Sequence, residues 1–181
     1  APEDSPIVAG GVLESYRHIS EALLMAMQVL GLSVSADKAY ELPEGTKKNG
    51  SVCFEVPSNY EITTGNKKLI GSAQARRHKA VLQHGTIPLS GDLTRITQVL
   101  EYSSDDKRKI AAKRLLDHAT NIEIALGRIV SWEDASIALK KSFEKLLNLD
   151  FIESEPSPQE NLKVEDLIKS KYGNDKWTLR I

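Results

Sequence analysis

The sequence predicts an α/β (α+β) fold, and two patterns carry that expectation. Residues 51–89 hold short runs in which apolar and polar residues alternate, broken by Pro57 and by a Gly65-Asn66 pair, as strands and a hairpin require. Residues 12–30 and most of 91–181 instead repeat apolar residues every three or four positions, as amphipathic helices do. With 181 residues, 40% hydrophobic and 27% charged, the chain is long enough for one domain with a real core. The expected organisation is a single domain over residues 1–181. Its sheet and active-site region lie in 1–90, and a mainly helical cover lies in 91–181.

Composition then narrows the partners. The formal net charge is −1, so no global field draws in nucleic acid or an anionic membrane surface, and neither is expected as a partner. A single cysteine allows no internal disulfide framework and fits a reducing, cytoplasmic setting. No apolar run approaches the roughly 20 residues needed to span a bilayer. No second His, Cys or carboxylate stands at metal-ligand spacing from His84, so no metal site is expected. The familiar phosphate-loop, dinucleotide and serine-hydrolase signatures do not occur.

In chain order, Leu13, Tyr16, Ser20, Leu23, Leu24, Met27 and Leu30 mark the buried face of a first helix, which Gly31 stops. Residues 32–36 alternate like a short strand, and 37–50 form a surface loop or flap. Val52, Phe54 and Val56 share one face of a strand, which puts Cys53 and Glu55 on the other. The hairpin about Gly65-Asn66 pairs Thr64 with Lys67, Thr63 with Lys68 and Ile62 with Leu69, so Lys68 projects away from Ile62. Such a lysine is ordinarily solvated.

Gly71, Ser72 and Ala73 lack bulky side chains, which permits a ligand to approach backbone N–H groups, but an ordinary strand exit reads the same way. Arg76, Arg77, His78 and Lys79 read as a solvated patch, or as a contact for an acidic partner or a phosphate. Residues 80–89 form a further strand that Pro88 places at an edge or bulge.

Helices account for the rest. Residues 92–100 carry Leu93, Ile96 and Leu100. Ser104 caps a helix with Asp105 and Asp106 in its first turn and Ile110, Leu115 and Leu116 along it. Thr120-x-x-Glu123 has the form of a capping box, stopped by Gly127. Ser131 starts the strongest helix, with Ala135, Leu139, Phe143, Leu146 and Leu147 inward. Residues 149–152 are strand-like. Ser157-Pro158-x-Glu160 caps a last helix to about Lys171, and Tyr172 and Trp177 offer aromatic anchors.

Read by itself, the lone Cys53 is most often a small buried hydrophobe. It becomes a nucleophile only when its pKa is lowered, and Lys68 is the nearest ammonium if the Cys53 strand lies beside the hairpin. Spacing alone does not establish that pairing, nor does it name a substrate.

The residues themselves carry a further signal. Cys53-Phe54-Glu55-Val56-Pro57-Ser58-x-Tyr60-Glu61-Ile62, Lys67-Lys68-Leu69-Ile70-Gly71-Ser72-Ala73-Gln74-x-Arg76 and Leu82-Gln83-His84-Gly85-Thr86-Ile87 resemble the biotin/lipoate protein ligase superfamily. The resemblance is greatest to its LipM-type octanoyltransferase branch and to lipoate-protein ligase A. The tail Lys171-Tyr172-x-x-Asp175-x-Trp177 fits the same branch.

The resemblance implies a mixed-sheet catalytic core with C-terminal helices packed on it. It further implies a thioacyl intermediate on Cys53, with Lys68 beside it lowering its pKa. Gly71, Ser72, Ala73 and Gln74 would then pack against the acyl group, joined by His84, Gly85 and Thr86. The donor would be octanoyl-acyl carrier protein, with no added cofactor, and the acceptor a lysine of a lipoyl domain or of glycine cleavage H protein. The branch also carries, upstream, an Arg-Arg-x-x-Gly-Gly block and a His-containing strand that build part of the acyl pocket. No such block occurs in residues 1–50, so the chain resembles the C-terminal two-thirds of such an enzyme, with a separate chain as one source of the N-terminal portion. Two rival readings stand beside the transferase. One is an ATP-dependent ligase that takes ATP and lipoate, with Lys68 holding the lipoyl-adenylate and Cys53 incidental. The other is a non-catalytic subunit that docks lipoyl domains.

Overall fold

The computed structural model describes residues 1–36 and 61–180, so the expected loop at 37–50 and the Cys53 strand lie outside the described residues. Two compact units divide the chain, Ala1–Leu149 and Asp150–Ile181.

The first unit opens with a 3-10 turn, Pro6–Val8, and then helix α1, Val12–Val29. Gly31, at φ +97°, turns the chain out of the helix, a conformation that costs glycine little. The buried stripe of α1 runs through Ser15, Ile19, Ala22, Ala26 and Met27, and Leu13 is 58% exposed. The expected face otherwise holds, with Ser20, Met27 and Leu30 buried and Leu23 and Leu24 packed against the core, and only Leu13 of that set is turned to solvent. In place of a strand at 32–36 there is one antiparallel bridge, Ser35 with Thr63, made by reciprocal N–H···O bonds.

Among the described residues the sheet has three strands in the order β1 (Ile62–Thr64), β2 (Lys67–Arg77), β3 (Ala80–Thr86), all antiparallel. Gly65 and Asn66 have φ of +54° and +61°, the two left-handed residues of a tight primed turn. That turn fixes Thr64 opposite Lys67 and Thr63 opposite Lys68. Ile62, however, pairs with Ile70 and not with Leu69, because a bulge shifts the register between Ile62 and Thr63. Leu69 is the extra residue, and the insertion lets both Leu69 and Ile70 be buried. Strand β2 continues through Gly71–Ala73 instead of ending there.

After β3 come a 3-10 turn, Leu93–Arg95, and a four-residue helix, α2 (Ile96–Val99), in place of one helix over 92–100. Helix α3 (Asp105–His118) is capped by Ser104, whose hydroxyl accepts the Lys107 N–H. Helix α4 (Ile122–Leu126) is capped by Asn121 through the Ile124 N–H. The Thr120 capping box is thus corrected: the Thr120 hydroxyl instead bonds the Asn121 carbonyl. Ser131 caps helix α5 (Trp132–Leu147) as expected, and Ala135, Ala138 and Ser142 are its most buried residues. Leu146, expected inward, is 41% exposed. One core joins α1, the hairpin, α4 and α5 through Met27, Leu30, Ile62, Ile70, Ile122 and Ala138.

No strand forms at 149–152. In the second unit Ser157 and Glu160 close a full capping box on α6 (Pro158–Leu167). A π-type turn, Ile168–Tyr172, replaces the helix's expected last turn, and a short α7 (Asp175–Thr178) follows. Tyr172 and Trp177 meet edge to face at 4.7 Å, so the two expected anchors hold each other.

Candidate active site

The hairpin builds the site. Turn geometry sets Lys68 across from Thr63, and the two-residue period of a strand puts Glu61 on the same side as Thr63, diagonal to the lysine. Lys68 Nζ donates to Glu61 Oε1 at 2.5 Å, and the two side chains are 9% and 6% exposed. The expectation of a solvated lysine is overturned. A charged amine is costly to bury, and a carboxylate at contact distance offsets that cost.

The α3–α4 junction holds the backbone of the lysine. The Thr120 N–H donates to the Lys68 carbonyl at 3.0 Å, and Ala119 bridges Lys68 in parallel register. The neighbouring Lys67 reaches the Leu116 carbonyl at the end of α3. Ile122 and Glu123 donate backbone N–H groups to the carbonyls of Pro88 and Leu89, which ties the exit of β3 to the start of α4.

Two of the expected substrate-binding stretches face each other. Gly71 pairs with Thr86, Ser72 with Gly85 and Ala73 with His84 along the β2–β3 ladder. Gly85 is needed for this approach: a Cβ there would lie 2.8 Å from the Gly71 carbonyl oxygen and 2.8 Å from Ser72 Oγ. His84 and Thr86 are exposed. Gln74 is engaged elsewhere, donating to Ser15 Oγ at 3.1 Å and to Gln83 Oε1 at 3.0 Å.

Arg76 is corrected from a solvated patch to a clamp. Its guanidinium donates to the Val8 carbonyl at 2.9 Å, Ser15 Oγ at 2.9 Å and Gln74 Oε1 at 3.1 Å. Arg77, His78 and Lys79 remain exposed, with His78 and Lys79 forming a second left-handed turn at φ +52° and +60°.

Sequence reasoning passed over two residues. Glu61 was legible from the hairpin register, as its diagonal relation to Lys68 shows. Tyr16 was assigned to the helix core, yet its hydroxyl donates to the Ser72 carbonyl at 3.3 Å. Burial pushes its phenol pKa up. A hydrogen bond with the Ser72 side chain opposes that shift and the Glu61 charge adds to it. Cys53, the remaining candidate, lies outside the described residues. A separate groove of about 270 Å³ is lined by Pro6, Ile7, His18, Glu21, Leu146 and Leu147, none of them a candidate residue. Among the described residues no group of three or more His, Cys, Asp or Glu side chains is placed to hold a metal ion, and no helix is long and apolar enough to cross a membrane.

A buried lysine on a bulged hairpin, beside a ladder of small residues, defines the class as an α/β domain of the lipoate-ligase fold. A bi-partite lipoate protein ligase from Thermoplasma acidophilum shares that fold, with a TM-score of 0.73 at 22% identity, covering 93% of this chain and 58% of that one. A lipoate-protein ligase A bound with ATP gives 0.68 at 23% identity, covering 92% and 59%.

Residues 2–144 match the lipoyl protein ligase A/B catalytic domain, and the chain belongs to that family. It is 32% identical over 176 residues to octanoyltransferase LipM of Symbiobacterium thermophilum, covering 96% of this chain and 64% of the relative. It is 34% identical over 182 residues to octanoyltransferase LipM of Kyrpidia tusciae, covering 98% and 65%. The chain therefore spans about two thirds of the length of the curated relatives it matches.

Proposed function

We propose that this chain carries the reacting residues of an octanoyltransferase in lipoate biosynthesis, moving an octanoyl group from a carrier-protein thioester to a lysine of a lipoyl domain. The observation that supports it best is the burial of Lys68 as an ion-paired amine beside the Gly71–Ala73 ladder. A surface lysine would have no reason to be desolvated there.

The chemistry runs in two steps. The Cys53 thiolate attacks the thioester carbonyl carbon, the carbon–sulfur bond to the carrier breaks, and the carrier sulfur leaves as a thiolate that solvent protonates. The acceptor lysine amine then attacks the thioacyl carbonyl, forms the amide and releases Cys53 with the displaced proton. The Lys68 ammonium stabilises the thiolate and the oxyanion that develops in each step. Cys53 enters on the family resemblance. The thioester is already activated, so ATP has no part in the reaction.

The test is a transfer assay on the full protein with octanoyl-acyl carrier protein and a lipoyl domain, with and without ATP. The proposal requires ATP-independent octanoylation that Cys53→Ala abolishes. Activity that depends on ATP and lipoate and survives Cys53→Ala identifies a ligase instead. Binding of the lipoyl domain with no turnover under either condition identifies a docking subunit.

A further inference from the structure

The transfer step leaves Glu61 without a role, although it is among the few charged side chains buried in the described residues. A lysine has four rotatable side-chain bonds, so an amine that must meet a reacting carbonyl needs something to aim it. An amine enclosed in apolar surroundings also sheds its proton readily. A neutral amine in this site is a worse fault than a misplaced one. It no longer stabilises negative charge, and it is itself a nucleophile beside an activated acyl group.

We infer that Glu61 is a positioning residue that aims Lys68 Nζ and keeps it an ammonium, so that Lys68 assists acyl transfer without being acylated itself. This rests on the reading of Lys68 as part of the transferase site. The geometry that carries it is the buried contact between Nζ and Glu61 Oε1, on a strand whose Lys68 carbonyl is held by the Thr120 N–H of the α3–α4 junction. From that junction Ala119, Thr120 and Asn121 present no ionisable group. Asp117, at the end of α3, feels the charges of Lys113, Lys67 and His118. On α1, Tyr16 is close enough for Glu61 to act on its ionisation. The Glu61 carboxylate is in contact with the Lys68 ammonium, the closest arrangement an anion can take to hold the proton on it. Without it, the Lys68 amine attacks the octanoyl thioester, the carrier thiol departs, and an octanoyl amide remains on Nζ.

The experiment compares the full protein with its Glu61→Gln and Glu61→Asp variants from pH 6 to 9. Three readouts serve: the pH profile of transfer, KM for the lipoyl domain, and octanoyl amide on Lys68 by peptide mass mapping. In Glu61→Gln the alkaline limb of the profile moves to lower pH, KM stays within about twofold, and Lys68 amide rises at least tenfold over the parent. Glu61→Asp recovers most of the parent profile. An unchanged profile, or a loss equal at every pH with Lys68 unmodified, overturns the inference.

The amine resonance of Lys68, followed by NMR titration without substrate, separates this inference from the functional reading. Earlier loss of the proton in Glu61→Gln supports the pairing even if no transfer is found, and titration as in the parent overturns it. If Glu61→Gln does not fold, Glu61→Leu takes its place in the same readouts: an alkaline limb at lower pH with octanoyl amide on Lys68 supports the inference, and parent-like behaviour overturns it.

Discussion

Lys68 Nζ and Glu61 Oε1 stand 2.5 Å apart with both side chains more than nine-tenths buried, although the two residues lie on opposite sides of a hairpin turn. The turn brings them together, and the bulge at Leu69 lets Ile62 and Ile70 pair in the core beside them. Removing one member takes from the other the opposite charge it touches in a buried setting. Lys68→Ala is therefore expected to destabilise the fold by about 3–5 kcal/mol, and the double replacement Glu61→Leu, Lys68→Met to recover most of that loss. Urea unfolding of the three proteins checks this. Equal losses in single and double variants would show that the pair is not coupled.

Arg76 ties β2 to the chain before α1 by donating to Val8, Ser15 and Gln74. Arg76→Ala should cost about 2 kcal/mol through the partners it strands. Amide hydrogen exchange over residues 5–15 should accelerate more than exchange over α5. Arg76→Lys should recover only part, because one ammonium does not reproduce a planar fork.

Gly85 marks the place where β3 comes close to β2. Gly85→Ala puts a methyl 2.8 Å from the Gly71 carbonyl oxygen, and the backbone there has little room to give. A loss of about 1–3 kcal/mol is expected, read as a lowered thermal midpoint. A midpoint unchanged within error would mean that the ladder relaxes freely at Ser72.

Tyr16 gives a pH signature. Burial raises its folded-state pKa above the ordinary value of 10.0, so the fold favours the protonated phenol. This contribution to stability is fully present below pH about 10 and is lost as pH rises through the raised folded value. Difference absorbance between the parent and Tyr16→Phe should place the Tyr16 phenolate above the ordinary tyrosine range. A Tyr16 transition at or below that range would contradict its buried setting.

The sequence made the hairpin legible because Gly65-Asn66 admits few turn types, and a tight turn dictates register outward from itself. It made the caps of α3, α5 and α6 legible for a similar reason: a serine before acidic residues has a local role that tertiary packing seldom overrides. Long-range choices were hidden. Nothing local says that Arg76 reaches back to Val8, or that Asn121 outcompetes Thr120 as a cap because its side chain also donates to the Gly91 carbonyl. The α3–α4 junction that bridges Lys68 lies about 50 residues further on, and no window of sequence around the hairpin contains it. The family motifs pointed to the same lysine without explaining why it is buried.

The most direct measurement is the intact mass of the full protein after incubation with octanoyl-acyl carrier protein and no acceptor. The account predicts one added octanoyl group, mapped to Cys53, absent from Cys53→Ala and much reduced in Lys68→Ala. A protein that stays unmodified while still octanoylating a lipoyl domain would contradict it.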